Sequence, residues 1–258
     1  MRKYSILLNV VLCCTLFIQS CTNRDSADNE LDIYLLIGQS NMAGRAPVEG
    51  ADNDTLQNVF LFTGIAENEW EKAANPLNKY STIRKNMSMQ KLGPGYHFAK
   101  TMAESDTPNP IGLVVNAKGG TKIELWEAGS TFYNEAVNRT KAAMEFGTLK
   151  GVLWHQGEAN ASKYNAYTPK IVALIEALRT DFNMPDLPVV VGQLSEDRVK
   201  RKDFNKMILQ LPAVIDFVGV ATTKGTSTID STHFDAASQQ LLGRRYAQKM
   251  LEIQAKQN

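Results

Sequence analysis

The stretch LDIYLLIGQSNMAGR, residues 31–45, decides how the rest of this chain is interpreted. Its first half is an apolar run that stops at Gly38, and the polar residues Gln39, Ser40 and Asn41 follow at once. An apolar run that ends in this way predicts a buried strand followed by a sharp turn. Because open α/β sheets carry their chemistry at the carboxyl ends of the strands, we expect the Ser40 hydroxyl at such an edge.

Apolar, strand-like segments alternate with helical segments along the rest of the chain. Further strands are predicted at 58–62, 111–116, 151–154, 187–192 and 214–220, and helices at 96–104, 131–146, 162–182, 199–211 and 236–253. Most of these strands are apolar on both faces, which is typical of a parallel sheet covered on both sides by helices. The sequence therefore predicts a single α/β domain over residues 31–258, with no internal repeat.

Residues 63–92 form the longest stretch without a sustained period. Loops of this length are rare in compact domains unless they serve a function, so we expect this one to form a wall of a substrate cleft. His97, on the helix that follows, is interpreted as a packing or capping residue.

Polar groups follow the apolar strands at four places: Ser40, Gly119 with Gly120, the 155–158 segment and the 230–233 segment. The carboxyl ends of parallel strands share one edge, so these groups are expected to converge. A serine hydroxyl needs a base to become a nucleophile, and histidine is the side chain that titrates near neutral pH. His233 is our candidate base.

A carboxylate must hold the imidazole of such a base in one tautomer and stabilise the imidazolium. Asp230 and Glu158 are both candidates, because each lies in one of the converging segments. The oxyanion of a tetrahedral intermediate needs hydrogen-bond donors, and glycines let the main chain approach it closely. The candidate donors are the backbone of Ser40, Gly119 and Gly120.

Four sequence motifs, in a fixed order, carry a resemblance to a known family. They are GQSNMAGR, GGT with Trp126 five residues after its threonine, WHQGE at 154–158 and DSTHF at 230–234. Together they resemble the SGNH-hydrolase superfamily, and more narrowly carbohydrate esterase family 6, which includes acetylxylan esterases, and the sialate O-acetylesterases. The resemblance covers residues 32–251. It implies a three-layer, flavodoxin-like fold with a central parallel sheet, and removal of acetyl groups from sugars by a serine nucleophile.

The resemblance also bears on individual residues. The DxxH spacing favours Asp230 over Glu158 as the acid of the triad, which leaves Glu158 to shape or charge the pocket. The superfamily's third oxyanion donor is an asparagine in a GxND word that this chain lacks. Gln156 stands at the corresponding place, either as that donor or as a hydrogen-bonded tie between loops.

The remaining candidates for substrate binding are side chains close to the same words. Asn41 either contacts substrate or fixes the Ser40 turn, and His155 and Glu158 lie beside the expected cleft. Trp126 is a candidate for stacking on a sugar face, as are Trp70, Trp154 and Phe234. Each of these aromatic residues can equally belong to the core.

The N-terminus has the pattern of an export signal. Arg2 and Lys3 precede an almost wholly apolar run at 5–18, which is short for a membrane span. The run ends in FIQSC, which resembles a bacterial lipobox with Cys21 as the acylated residue; a plain signal peptide is the alternative. We expect a signal peptide over 1–20, a polar tether over 21–30, and a membrane-anchored lipoprotein in the periplasm or at the cell surface.

Composition excludes several other functions. The 28 basic and 27 acidic residues nearly balance and form no basic run, which argues against a nucleic-acid partner. Cys13 and Cys14 fall within the predicted signal, so no disulfide is expected within the mature chain. The three histidines are widely separated and no CxxC occurs, so neither a metal nor another cofactor is predicted.

The sequence thus predicts a serine carbohydrate acetylesterase acting on acetylated poly- or oligosaccharides. Acetylxylan is the substrate class expected first, and three alternatives remain: a sialate O-acetylesterase, a lipid-anchored glycan-binding protein without turnover, and a lipase or thioesterase of the same superfamily. The polar and aromatic character of residues 63–92 favours a sugar over a long acyl chain.

Overall fold

The computed structural model describes residues 30–66, 69–105 and 109–257. The predicted signal peptide, the lipidation candidate Cys21 and all of the tether except Glu30 lie outside the described residues. Within the described ranges, no helix combines the length and the apolar character that crossing a membrane requires.

Seven strands form one sheet in the described part of the chain. They are β1 (Leu31–Gly38), β2 (Val59–Phe62), β3 (Trp70–Lys72), β4 (Ile111–Ala117), β5 (Gly147–His155), β6 (Val189–Gly192) and β7 (Val218–Ala221). Their order is β3-β2-β4-β1-β5-β6-β7, and all neighbours are parallel except β2 and β3. The predicted α/β fold with a central parallel sheet is confirmed, with an antiparallel strand added at one edge.

Five of the six α-helices lie in connections between these strands, and the sixth follows the last strand. They are α1 (Ser40–Ala43), α2 (Gly95–Glu104), α3 (Thr131–Ala143), α4 (Tyr167–Phe182), α5 (Val199–Ile208) and α6 (Ala236–Gln254). Short 3-10 helices lie at Gly50–Asn53, Leu77–Tyr80, Met87–Met89, Ile123–Trp126, Met144–Phe146, Ala161–Ala166 and Leu211–Ala213. Side-chain caps begin two of the long helices: Ser130 accepts from the Tyr133 N–H and Asp235 from the Ser238 N–H.

The alternation of side chains along β1 divides the core into two layers. Ile33, Leu35 and Ile37 pack on the side of α3, α4 and α5, whereas Tyr34 and Leu36 pack on the side of α2 and α6. All five side chains are at most 1% exposed, because β1 lies at the centre of the sheet with helices on both faces. The result is a three-layer α/β/α arrangement.

The connections run in opposite directions from β1. The chain builds β2 and β4 on one side of β1 and then β5, β6 and β7 on the other, so the strand order reverses at β1. The carboxyl end of β1 is therefore a topological switch point, where open α/β sheets leave a crevice between diverging loops. The Ser40 turn occupies that position.

Segment 63–92, predicted to be irregular, contains β3 and two of the 3-10 helices. Three residues of antiparallel pairing between β2 and β3 are too short to leave a period in the sequence. Its later part reaches the cleft described below through Lys85 and Met89, as predicted for a cleft wall.

Candidate active site

Ser40 lies at the point where β1 ends and the one-turn helix α1 begins. Gly38 makes this turn possible, because its φ of 136° is unfavourable for other residues and a Cβ there would lie 2.2 Å from the His155 carbonyl oxygen. The Ser40 Oγ lies 3.0 Å from His233 Nε2, and His233 Nδ1 lies 2.6 Å from Asp230 Oδ2. A serine, an imidazole and a carboxylate are thus linked in the order that nucleophilic catalysis requires.

The loop that carries Asp230 holds its own carboxylate in place. Asp230 Oδ1 accepts hydrogen bonds from the N–H groups of Thr232 and His233, and Ser231, which follows Asp230, adopts a φ of 59°. Partial burial acts to raise the pKa of Asp230, but the hydrogen bonds from the backbone and side chain of His233 outweigh it and lower that pKa. Asp230 is therefore ionised near neutral pH, and its Oδ2 accepts from His233 Nδ1, which leaves Nε2 free to accept from Ser40.

Glu158, the alternative acid, lies beside the triad without a hydrogen bond to His233. Its Oε1 accepts from Asn41 Nδ2 at 2.5 Å, whereas its buried Oε2 has no hydrogen-bond partner among the described residues. Burial raises the pKa of Glu158, and the hydrogen bonds and the charge of Arg201 oppose this shift only in part. The geometry thus selects Asp230 as the partner of His233 and leaves Glu158 in the wall of the cleft.

Asn41 is buried and joins three segments of the site. Its Nδ2 donates to Glu158 and to the Thr232 carbonyl at 3.1 Å, and its Oδ1 accepts from the Phe234 N–H at 3.2 Å. Because the side chain is 0% exposed, the prediction that it contacts substrate is wrong. The alternative holds in an extended form, since Asn41 fastens the His233 loop to the Ser40 turn.

Gln156 is also buried, and both ends of its amide are occupied. Nε2 donates to the Thr121 carbonyl at 3.0 Å and to Asn160 Oδ1 at 2.8 Å, and Oε1 accepts from the Tyr167 hydroxyl at 2.8 Å. A donor with these acceptors is not directed at an oxyanion beside Ser40. The structure therefore contradicts Gln156 as an oxyanion donor and gives it the alternative role of a tie between loops.

His155 and Trp126 are each 0% exposed and belong to the core, so their predicted contact with substrate is also corrected. His155 Nδ1 lies 2.9 Å from the Tyr246 hydroxyl, and burial lowers the pKa of His155 to about 3. The Trp126 indole donates to Thr121 and packs edge-to-face on Trp154. His155 is the last residue of the apolar strand β5, and Trp126 ends the 3-10 helix Ile123–Trp126. At both positions the sheet and its helices cover the side chain completely.

The other aromatic candidates give the same result. Trp154 and Phe234 are at most 1% exposed, and Trp70 packs against Phe62 with ring centroids 5.1 Å apart. Sugar-stacking by these side chains is therefore not supported by their positions. An aromatic residue next to a motif of the site gives the same sequence signal whether its side chain lines the cleft or lies in the core beneath it.

A cleft of about 360 Å³ opens over the triad. Its lining includes Ser40, His233, Gly119 and Gly120, as predicted from the convergence of the strand ends, together with Glu158. Gly119 lies against Ser40, because a Cβ at Gly119 would be 3.3 Å from the Ser40 Cβ. Gly120 follows it in the lining of the same cleft.

Four cationic side chains that the sequence did not single out also line this cleft: Arg45, Lys85, Arg198 and Arg201. Arg201 is 4% exposed and holds the His233 loop, donating to the Ser231 carbonyl at 2.8 Å and to the Thr232 hydroxyl at 3.0 Å. Arg45 offered a signal, since it lies within the Ser40 word, whereas Arg201 comes from α5 and is thirty positions away from the loop that it holds. The described residues contain no cluster of three or more His, Cys, Asp or Glu that could hold a metal ion.

Comparison with known proteins places this chain in a family. Residues 30–252 match the family described as "Carbohydrate esterase, sialic acid-specific acetylesterase". A probable carbohydrate esterase of Arabidopsis thaliana is 31% identical over 246 residues, which cover 85% of this chain and 90% of that protein. The human sialate O-acetylesterase is 26% identical over 215 residues, 66% of this chain and 40% of the human protein.

Solved structures agree with the fold. The crystal structure of an Arabidopsis thaliana protein superposes with a TM-score of 0.78 at 28% identity, covering 86% of this chain and 98% of the other. The crystal structure of NanS gives a TM-score of 0.67 at 15% identity, over 89% of this chain and 99% of the other. At that identity the second comparison shows the shared three-layer fold alone.

Proposed function

The chain belongs to the sialic acid-specific acetylesterase family of carbohydrate esterases, and on that premise we propose that it removes O-acetyl groups from carbohydrates by a Ser40–His233–Asp230 mechanism. The observation that carries this proposal is the hydrogen-bonded series from Ser40 Oγ to His233 Nε2, at 3.0 Å, and from His233 Nδ1 to Asp230, at 2.6 Å. Ser40 and His233 line an open cleft, so an ester can reach the serine hydroxyl.

In the proposed reaction, Ser40 Oγ attacks the acetyl carbonyl carbon while His233 Nε2 takes the hydroxyl proton. The resulting imidazolium, stabilised by ionised Asp230, returns the proton to the departing sugar oxygen. A water molecule then attacks the acetyl-serine, again with His233 as base, and acetate leaves. The backbone of Ser40, Gly119 and Gly120 is proposed to donate to the oxyanion in both steps.

The substrate has two candidate classes. Acetylated neutral polysaccharide such as acetylxylan follows from the resemblance to carbohydrate esterase family 6. The cationic side chains of the cleft favour an acidic sugar that carries an O-acetyl group, such as sialic acid, because Arg45, Lys85 and Arg198 surround the triad. The family's description points in the same direction.

Acetate release from a panel of acetylxylan, acetylated pectin, acetylated mannan and O-acetyl sialic acid tests the proposal. We expect release from at least one substrate, and loss of that release by a factor of about 10⁶ in Ser40→Ala. Full activity in Ser40→Ala overturns the mechanism. A folded wild type that binds an acetylated glycan and releases no acetate supports the alternative of a glycan-binding protein without turnover.

We also propose that the protein is an exported bacterial lipoprotein anchored to a membrane through Cys21, facing the periplasm or the cell surface. The support is the sequence pattern alone: Arg2 and Lys3, the apolar run at 5–18, and the FIQSC word. Incorporation of radiolabelled palmitate into the wild type, and its loss in Cys21→Ser, is the expected result. Equal labelling of both proteins contradicts acylation at Cys21.

A further inference from the structure

The oxyanion site has one donor fewer than the resemblance implies. The Gln156 amide nitrogen, at the place of the expected third donor, already donates to Thr121 and Asn160. The backbone groups of Ser40, Gly119 and Gly120 remain, and the cleft that they line is open. A side-chain donor beside Ser40 would restore the third, side-chain contact to the oxyanion.

Arg45 is that side chain, and its guanidinium is held in a fixed plane. Nη1 donates to the Gly44 carbonyl at 2.6 Å and to the Met89 carbonyl at 2.7 Å. The two acceptors come from both sides of the cleft: Gly44 follows the nucleophile helix α1, and Met89 ends a 3-10 helix of the 63–92 wall. Within the described part of the chain, Nη2 makes no hydrogen bond.

Gly119 locates the free end of Arg45 relative to the nucleophile. A Cβ at Gly119 would lie 2.6 Å from Arg45 Nη2 and 3.3 Å from Ser40 Cβ, so the two groups border the same small space. Any side chain at Gly119 would displace the guanidinium. The absence of that side chain leaves room for an atom of the substrate between Nη2 and Ser40.

From these contacts we propose that Arg45 is a catalytic residue, whose Nη2 donates to the oxyanion formed when Ser40 attacks the acetyl group. The inference rests on the proposed Ser40 mechanism. As Ser40 Oγ bonds to the acyl carbon, the carbonyl electron pair moves onto its oxygen, and His233 holds the serine proton. Nη2–H stabilises that negative oxygen until the carbonyl re-forms and the sugar oxygen departs with the proton.

The other cations of the cleft fit this role less well. Arg201 uses both terminal nitrogens on Ser195, Ser231 and Thr232. Lys85 is exposed, and its Nζ lies 3.5 Å from the position that a Cβ would take at Gly120. Its amine therefore borders Gly120, whereas Arg45 borders Gly119, the glycine that contacts Ser40. Arg198 is exposed, and its Nη2 donates to the Ser231 hydroxyl at 3.3 Å. Of the four cations that line the cleft, Arg45 is the one that combines a fixed orientation with a free donor beside Ser40.

The experiment compares Arg45→Met, Arg45→Lys and wild type on 4-nitrophenyl acetate, a neutral ester whose binding needs no cation. We expect kcat of Arg45→Met to fall about 10²–10³-fold with KM within about threefold of wild type. Arg45→Lys retains the charge but cannot hold both carbonyls and reach the oxyanion, so we expect it to lose at least about tenfold in kcat. Lys100→Met, which removes the same charge from an exposed position on α2 and outside the cleft, is the matched control with unchanged kcat.

Folding and nucleophile reactivity are measured separately. Thermal melting verifies each variant, and if Arg45→Met does not fold, Arg45→Lys decides. Full kcat in a folded Arg45 variant, or an effect seen only in KM, overturns the inference. Labelling of Ser40 by diethyl 4-nitrophenyl phosphate, followed by mass spectrometry, distinguishes the two proposals: a labelled wild type with Arg45→Met of equal kcat overturns the role of Arg45 alone, whereas an inactive and unlabelled wild type overturns the proposed function with it.

Discussion

The end of β5 and the loop after β7 reach the same edge of the sheet with nearly the same chemistry and opposite outcomes. Each carries a histidine and a carboxylate three residues apart: His155 with Glu158, and Asp230 with His233. His155 is 0% exposed with a pKa lowered by burial to about 3, so it stays neutral. The His233 side chain is 23% exposed and is hydrogen-bonded to both Asp230 and Ser40.

The difference follows from what lies above each loop. His155 is the last residue of the nine-residue strand β5, and Phe234 and Tyr246 pack against its ring. His233 lies twelve residues beyond the end of β7, on a loop that Asp230 closes by accepting from the His233 N–H and that Arg201 holds from outside. Proximity to a strand end thus buries one histidine, and distance from it lets the other face the cleft.

The largest expected effect comes from replacing each histidine, in separate variants, by a residue that cannot act as a base. We expect His233→Ala to lose about 10⁶-fold in kcat with a melting temperature close to that of wild type, because its role is chemical. His155→Asn, which keeps a donor near Tyr246, is expected to stay within about tenfold of wild-type kcat. Steady-state kinetics with an aryl acetate and thermal melting measure both; a large kcat loss in a folded His155→Asn would break the comparison.

The two carboxylates give the next largest effect. Asp230→Asn removes the charge that faces the imidazolium and is expected to lower kcat about 10⁴-fold. Glu158→Gln keeps an oxygen that can accept from Asn41 and is expected to lower kcat less than about tenfold. The reverse order of the two losses would make Glu158 the acid of the triad.

The pH dependence of stability gives the smallest effect. The folded-state pKa of His155, about 3, lies below its ordinary value of 6.5, so the unfolded chain binds the proton more readily. His155 therefore contributes stability that is complete above pH 6.5 and is lost as the pH falls towards 3. Between pH 6.5 and pH 5 the loss is about 2 kcal/mol.

Urea unfolding at pH 7, 6 and 5 measures this loss as the difference between wild type and His155→Asn. The variant is expected to be less stable at pH 7 and to lose less stability on acidification. The comparison with the variant is needed because the raised pKa of Glu158 acts in the opposite sense on the wild type. Parallel pH profiles for the two proteins would contradict a neutral, buried His155.

Much of the fold could be predicted because most of its strands are apolar runs that end at glycine or polar residues. β1, β4 and β6 were recognisable in this way, and the helices α2, α4 and α6 by their apolar stripes. β3 was not predicted, because it is an edge strand of three residues that pairs only with β2. So short a strand leaves no alternating hydrophobic pattern in the sequence. Its partner strand, β2, was predicted from its apolar character alone.

The candidate site divides along the same line. Ser40 and His233 were predicted from the chemistry that a serine nucleophile requires, and Asp230 was preferred to Glu158 because its DxxH spacing resembles that of SGNH hydrolases. The structure brings the three side chains together. Asn41 was predicted either to contact substrate or to fix the Ser40 turn, and Gln156 either to donate to the oxyanion or to tie loops together. Burial favours the structural alternative for both, and the sequence could not decide because an amide beside the serine gives the same signal in the cleft and in the core.

The sequence by itself determined the elements and the chemical groups of this protein: apolar β-runs that form strands, turns after them that carry a serine, and a DxxH loop near the C-terminus. Only the tertiary structure decided which of these groups face solvent. Exposure depends on what packs above each strand end, and those contacts come from residues distant in the chain, such as Tyr246 over His155 and Arg201 behind the His233 loop. A local pattern carries no record of such partners, because burial is a property of the assembled layers.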